Sequence, residues 1–157
     1  MINVRRFFTA LCLGGLLIFG AAGPAYAVEW HEDFKKVVDS AKETDKPMLL
    51  YFTGSDWCPP CKVLDQEVLS QDVFKEFADD QLVLMKLDFD RFVRPKSEAF
   101  GAQHTSLKRA LQIRGFPMIV LLAPDGEYLE TTGFRREGAE DYVKHLKKLL
   151  DMDGGKS

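Results

Sequence analysis

Pro47-Met48-Leu49-Leu50-Tyr51-Phe52-Thr53-Gly54-Ser55-Asp56-Trp57-Cys58-Pro59-Pro60-Cys61 decides the reading of this chain. The apolar run from Met48 to Phe52 is continuous rather than alternating, as in a central strand covered on both faces. Thr53-Gly54-Ser55-Asp56 is turn chemistry that carries the chain to two cysteines. Beyond them Lys62-Val63-Leu64-Asp65-Gln66-Glu67-Val68-Leu69 has helical spacing. Strand, short loop, Cys-x-x-Cys and helix form a layout in which two thiols can trade electrons with another molecule's disulfide.

A structural staple is the competing reading, and a magnitude weighs against it. In the chain-entropy model a loop of four residues yields roughly 2 kcal/mol, against about 3 for a loop of 15. A chain in need of a staple would set its cysteines far apart. A closed zinc site needs four ligands, and neither a second cysteine pair nor a His-x3-5-His pattern completes one. Haem attachment needs His directly after the second Cys, where Lys62 stands. No metal and no cofactor are therefore expected. His31, His104 and His145 lie far from the motif and from each other, and each is expected at the surface.

The 157 residues amount to one domain. The first 27 read as a signal peptide: Arg5 and Arg6, an uncharged apolar run over 7–22, then Ala25-Tyr26-Ala27, the small-x-small pattern that precedes cleavage. The run is short for a membrane span, which takes about 20 residues. Arg5-Arg6-Phe7-Phe8 partly imitates a twin-arginine signal, but the general secretory route is expected. Leu11 is too large for a lipoprotein cleavage site before Cys12, so Cys12 leaves with the signal. The mature domain, 28–157, then holds only Cys58 and Cys61 and is expected in the periplasm, where an unprotected thiol pair drifts toward the disulfide. Losing two arginines leaves 19 basic residues against 24 acidic ones, a net −5 where the whole chain has −3. That acidity argues against a nucleic-acid surface.

Along the chain, residues 30–45 have apolar positions three and four apart and read as a helix ending at Lys46-Pro47. The motif helix over 59–69 is followed by a restart at Ser70 with its own cap. A second strand is expected over 81–88, an irregular basic and aromatic loop over 89–104, and a short helix over 105–113. A third strand runs over 117–122. Pro124-Asp125-Gly126-Glu127 is a turn, and the chain returns over 128–132 as a hairpin. A helix over 138–152 closes the domain, and the last residues are expected to fray. Two parallel strands joined by a crossover helix, then a hairpin, give an α/β fold: a mixed central sheet with helices on both faces.

Over nearly all of 28–152 the chain resembles the thioredoxin superfamily. The match is carried by Asp56-Trp57-Cys58-Pro59-Pro60-Cys61-Lys62, Ile113-Arg114-Gly115-Phe116-Pro117, and Gly133 after the hairpin. Thr53-Gly54-Ser55-Asp56-Trp57-Cys58 looks most like exported bacterial members, among them the periplasmic domain of the transmembrane thiol–disulfide interchange reductase. The resemblance implies a three-layer thioredoxin-like fold with Cys58 as nucleophile and Cys61 as resolving thiol. It implies a cis peptide before Pro117, with Trp57, Phe116 and Pro117 bordering a substrate groove. It also aligns Asp65 with an acidic position of the interchange-reductase domain, a candidate proton relay as well as an ordinary helix carboxylate. One departure stands out: thioredoxins have a buried Asp before the active loop, where this chain has Tyr51 and Phe52.

Elementary chemistry runs the same way. At a helix mouth, unpaired N–H groups and the helix dipole favour a thiolate. A thiol pKa lowered from about 8.5 to about 7 raises the ionised fraction at pH 7 from roughly 3% to roughly half. Pro59 and Pro60 preset the first turn but withhold two donors. No His lies between the cysteines, and Pro-Pro resembles reducing members such as tryparedoxins. The expected activity is thus an exported thiol–disulfide oxidoreductase acting as a reductant. Its partners would be disulfide-containing proteins and a membrane electron donor, and the chain itself a monomer. The other class is a binding or assembly module that presents an exported cysteine-containing protein for maturation.

Overall fold

The computed structural model describes residues 28–151. The expected signal peptide with its cleavage after Ala27, and the fraying tail past Asp151, lie outside the described residues. Six residues, Met48–Thr53, form the central strand β2, and every one is buried. Successive side chains on a strand point to opposite faces, and β2 divides accordingly. Leu49 and Tyr51 enter one core, whereas Met48, Leu50 and Phe52 enter the other. Burial of a large apolar side chain is worth about 1.5–3 kcal/mol, so this single strand anchors both layers.

Strand β1 is Trp30–His31, β3 Val83–Asp88, β4 Met118–Leu122 and β5 Tyr128–Gly133. The sheet order is β1-β3-β2-β4-β5. β3 runs parallel to β1 and β2, β4 antiparallel to β2 and β5. Helices α1, Phe34–Thr44, and α4, Gly101–Ala110, cover one face. The other is covered by α2, Pro59–Leu64, its continuation as a π turn at Asp65–Leu69, α3, Asp72–Gln81, and α5, Ala139–Asp151. This is the three-layer mixed-sheet architecture expected from the residues.

Four details differ from expectation. The first helix begins at Phe34, because Asp33 caps it by accepting the Lys35 N–H at 3.0 Å. That leaves Trp30 free to pair beside Leu84 as a strand and to set its ring 5.9 Å from Tyr51. Helix α4 starts at Gly101 rather than near 105, held in place by the Phe34 N–H donating to Gln103 Oε1 at 2.8 Å.

His104, expected at the surface, is fully buried, its Nε2 2.9 Å from the Glu32 carbonyl. A carbonyl only accepts, so Nε2 carries a proton, and Nδ1 is buried without a partner among the described residues. His31 and His145 are also half-covered, beside Glu29 and Thr132. Finally, Ser70 does not cap α3. The Ser70 N–H reaches back to the Asp65 carbonyl at 2.9 Å, widening the turn, and Ser70 Oγ and Gln71 Nε2 both donate to the Gln66 carbonyl. The extra residue lets the adjacent Val68 and Leu69 both face the core.

Candidate redox site

Two short turns aim the motif. The N–H groups of Trp57 and Cys58 both donate to the Gly54 carbonyl, at 3.2 and 2.9 Å. Glycine is required at 54: a Cβ there would overlap the Trp57 indole, which lies flat against the backbone. The indole Nε1–H donates to the Phe89 carbonyl at 2.8 Å. Its ring meets Phe116 edge-on at 5.8 Å, and Phe116 in turn lies 5.4 Å from Phe89. The Phe116–Pro117 peptide is cis. Pro117 approaches Gly133 so closely that a Cβ there would sit 2.9 Å from the Pro117 carbonyl oxygen. The residues that carried the family resemblance at three separate places in the chain therefore meet in one wall.

Cys58 occupies the N-cap of α2 with Pro59 and Pro60 in the first turn. It is bonded to Cys61, with 5.3 Å between the Cα atoms. Only 3% of Cys58 is exposed, and Cys61 is fully enclosed. The Cys61 N–H points at Cys58 Sγ, 3.3 Å away. Since both prolines lack an N–H, this donor and the helix dipole are the first turn's contribution to a negative sulfur. The prolines' effects, stiffening and donor loss, thus coexist, with one donor retained. The pair is nearly enclosed, with Cys58 at the helix mouth and Cys61 one turn deeper.

On the buried side, Tyr51 lies against the cysteine helix. Its hydroxyl donates to the Cys61 carbonyl at 3.4 Å and accepts from Thr53 Oγ1 at 3.0 Å. Burial raises its pKa far out of the working range, so it stays neutral. Asp65, four residues after Cys61, donates its backbone N–H to the Cys61 carbonyl. Burial raises the pKa of its carboxyl above the usual carboxylate value, partly offset by Lys86 and by Tyr51. Asp65, Tyr51, Lys86 and Trp30 share a cavity of about 530 Å³. The helix thus places a half-buried acid beside this tyrosine.

A further group escaped sequence reasoning. Asp88, at the end of β3, accepts from the Ser55 N–H at 3.0 Å and from Ser55 Oγ, and pairs with Lys96 at 3.1 Å. Lys96 also reaches Ser55 Oγ at 3.0 Å. Burial pushes the Asp88 pKa up, but the Ser55 and Lys96 bonds outweigh it and hold the carboxyl below its usual value. This clasp ties the 89–96 loop to the turn that delivers Trp57. The one available signal was Asp88 itself, an acid closing an apolar strand. On the far side of the cysteines, Pro59, Pro60, Val63 and Phe134 line an apolar hollow of about 660 Å³.

Residues 29–124 match the family model described as thioredoxin-like. The chain is 30% identical over 125 residues to the disulfide bond reductase DsbH of Chlamydia pneumoniae, spanning 80% of this chain and 74% of that one. A solved DsbH oxidoreductase superposes with a TM-score of 0.76 at 29% identity, over 88% of this chain and 95% of the other. The C-terminal domain of DsbD from Neisseria meningitidis, in its oxidised form, shares the fold at a TM-score of 0.55 and 21% identity, over 76% and 98%. With a bonded cysteine pair at a helix start and matches of this extent, the chain belongs to the thioredoxin-like family of disulfide oxidoreductases.

Proposed function

We propose that the protein is exported to the periplasm and there reduces disulfides of other proteins. The Cys58 thiolate attacks one sulfur of the substrate disulfide, a mixed disulfide forms, and the first substrate sulfur departs and takes a proton. Cys61 then loses its proton and attacks Cys58 Sγ. The second substrate thiol is released, and the Cys58–Cys61 bond holds the two electrons' worth of oxidation. Asp65 is the base for the Cys61 proton: it lies one turn further on, and burial raises its basicity. Trp57, Phe116 and Pro117 form the platform for the substrate strand. A dithiol donor in the membrane restores the pair.

The single observation that carries this reading is Cys58 at the N-cap of α2, with the Cys61 N–H on its sulfur. A reducing direction is supported by the lack of His between the cysteines and by the likeness to a protein described as a disulfide bond reductase. Export is supported by the character of residues 1–27. Equilibration with glutathione tests the direction. A potential near about −270 mV, as in thioredoxin, is expected; one near about −120 mV would identify an oxidant. Cys61→Ser should accumulate mixed disulfides with periplasmic proteins, and Cys58→Ser should trap none.

A further inference from the structure

Beside the aromatic wall, a groove of about 360 Å³ lies between the 89–95 loop, α4 and the segment leading to Pro117. Phe89, Val93 and Ile113 provide its apolar lining; Lys108, Arg109 and Arg114 provide its charge. No Asp or Glu lines it. Among the described residues none of these three cations has an acidic partner within ion-pair distance. The loop's own acid, Asp90, is occupied by Arg94, at 2.7 Å from Nε and 2.6 Å from a terminal nitrogen, and by the N–H groups of Phe92 and Arg94. In a chain with more acids than bases, a three-cation wall free of acid runs against composition.

The groove shares Phe89 with the aromatic wall of the redox site. Phe89 lines the groove and also meets Phe116 at a tilt, while its carbonyl holds the Trp57 indole. Arg114 precedes Phe116-Pro117 by two and three residues. At its other edge Phe92 is 71% exposed and Val93 42%. The loop presenting them is held by the Phe89–Pro95 bridge and by the Asp90–Arg94 bonds, with Val93 forced to a φ of 61°. A volume of this size suits a few side chains of an extended segment rather than a folded surface.

We propose that this groove docks an acidic stretch of polypeptide that flanks the reacting cysteine of a protein substrate, so that substrates with Asp or Glu beside their disulfide react fastest. The inference rests on the redox reading above and adds a substrate class to it. Cationic clefts with apolar walls raise the local concentration of anionic partners, with effects on association of about 10- to 1000-fold. Three partly solvated cations belong at the low end of that range.

The test uses the reduced protein and synthetic peptides with one internal disulfide flanked by four glutamates, four glutamines or four lysines. Exchange is followed by stopped-flow tryptophan fluorescence. The glutamate peptide should react about tenfold faster than the glutamine peptide near 10 mM salt. The difference should shrink to about twofold or less at 1 M, where the screening length is about 3 Å. Combining Lys108→Gln, Arg109→Gln and Arg114→Gln should abolish the preference while the glutamine peptide, which reports folding and thiol chemistry, reacts as before. The pair Lys108→Glu and Arg109→Glu should turn the preference toward the lysine peptide. Equal rates for the three peptides, or a preference that survives both sets of substitutions, overturn the groove assignment alone. Failure of all three peptides to react overturns the redox reading and this inference with it.

Discussion

Replacing Asp88 by alanine should weaken the fold and loosen the turn that carries Trp57. The substitution removes three hydrogen bonds: from the Ser55 N–H, from Ser55 Oγ and from Lys96 Nζ. Asp88 keeps 18% of its side chain exposed and Lys96 36%, so the ion pair is worth at most about 1 kcal/mol. The two Ser55 bonds go to a charged acceptor in a half-buried place and carry about 1–1.5 kcal/mol each. The sum is about 2–4 kcal/mol. With a urea m-value of about 1.5 kcal/mol/M, the unfolding midpoint at pH 7 should fall by about 1.3–2.7 M.

Asp88→Asn retains one acceptor oxygen and should lose about half as much. The pH dependence identifies the cause. Burial raises the Asp88 pKa, but the Ser55 and Lys96 bonds leave it lowered in the folded state. Its contribution is therefore complete above the unfolded pKa of about 3.9. It disappears as pH falls through the lower folded value. The gap between wild type and Asp88→Ala should be constant from about pH 5 upward and close below about pH 4. An unchanged midpoint at pH 7, or a gap of the same size at pH 2.5, would refute the reasoning.

Other substitutions probe the rest of the site. Asp65→Asn should slow collapse of the mixed disulfide by roughly tenfold and erase a limb of the rate profile that rises through an elevated carboxylate pKa; quenched-flow counting of the mixed species against pH shows this. Gly133→Ala places a methyl group 2.9 Å from the Pro117 carbonyl oxygen and should cost about 1–3 kcal/mol in urea unfolding, with a higher KM for a disulfide peptide. His104→Ala strips the Glu32 carbonyl of its buried donor and opens a void, for a loss of about 2–3 kcal/mol; an unaltered thermal midpoint would contradict that accounting.

Those features were unequally visible in the sequence. Strands β2 to β5 and the start of α2 could be read because their signals are local: an unbroken apolar run, a turn dipeptide, cysteines at a fixed spacing. Strand β1 could not, since two residues hold no period and Trp30 kept the spacing of the helix that follows. His104 is buried by a bond to Glu32, 72 residues away, which no window contains. The Ser55–Asp88–Lys96 clasp likewise joins three segments that meet only after the sheet has formed. The wide turn at 65–69 leaves no mark beyond two neighbouring apolar residues, Val68 and Leu69, one too many for an even spiral.

That surplus residue acts as a phase adjuster. Upstream of it, the helix is oriented by the cysteine pair at its start; within the turn, Val68 and Leu69 must both meet the core. Each residue of a regular helix advances about 100°, so deleting one position ahead of Val68 would turn Val68 or Leu69 away from the core. The joint is held by main-chain bonds from Ser70 to Asp65 and from Gln71 to Val68, and by side chains gripping the Gln66 carbonyl. Chemistry at one end and anchorage at the other thus answer to separate geometrical demands, reconciled within a single turn.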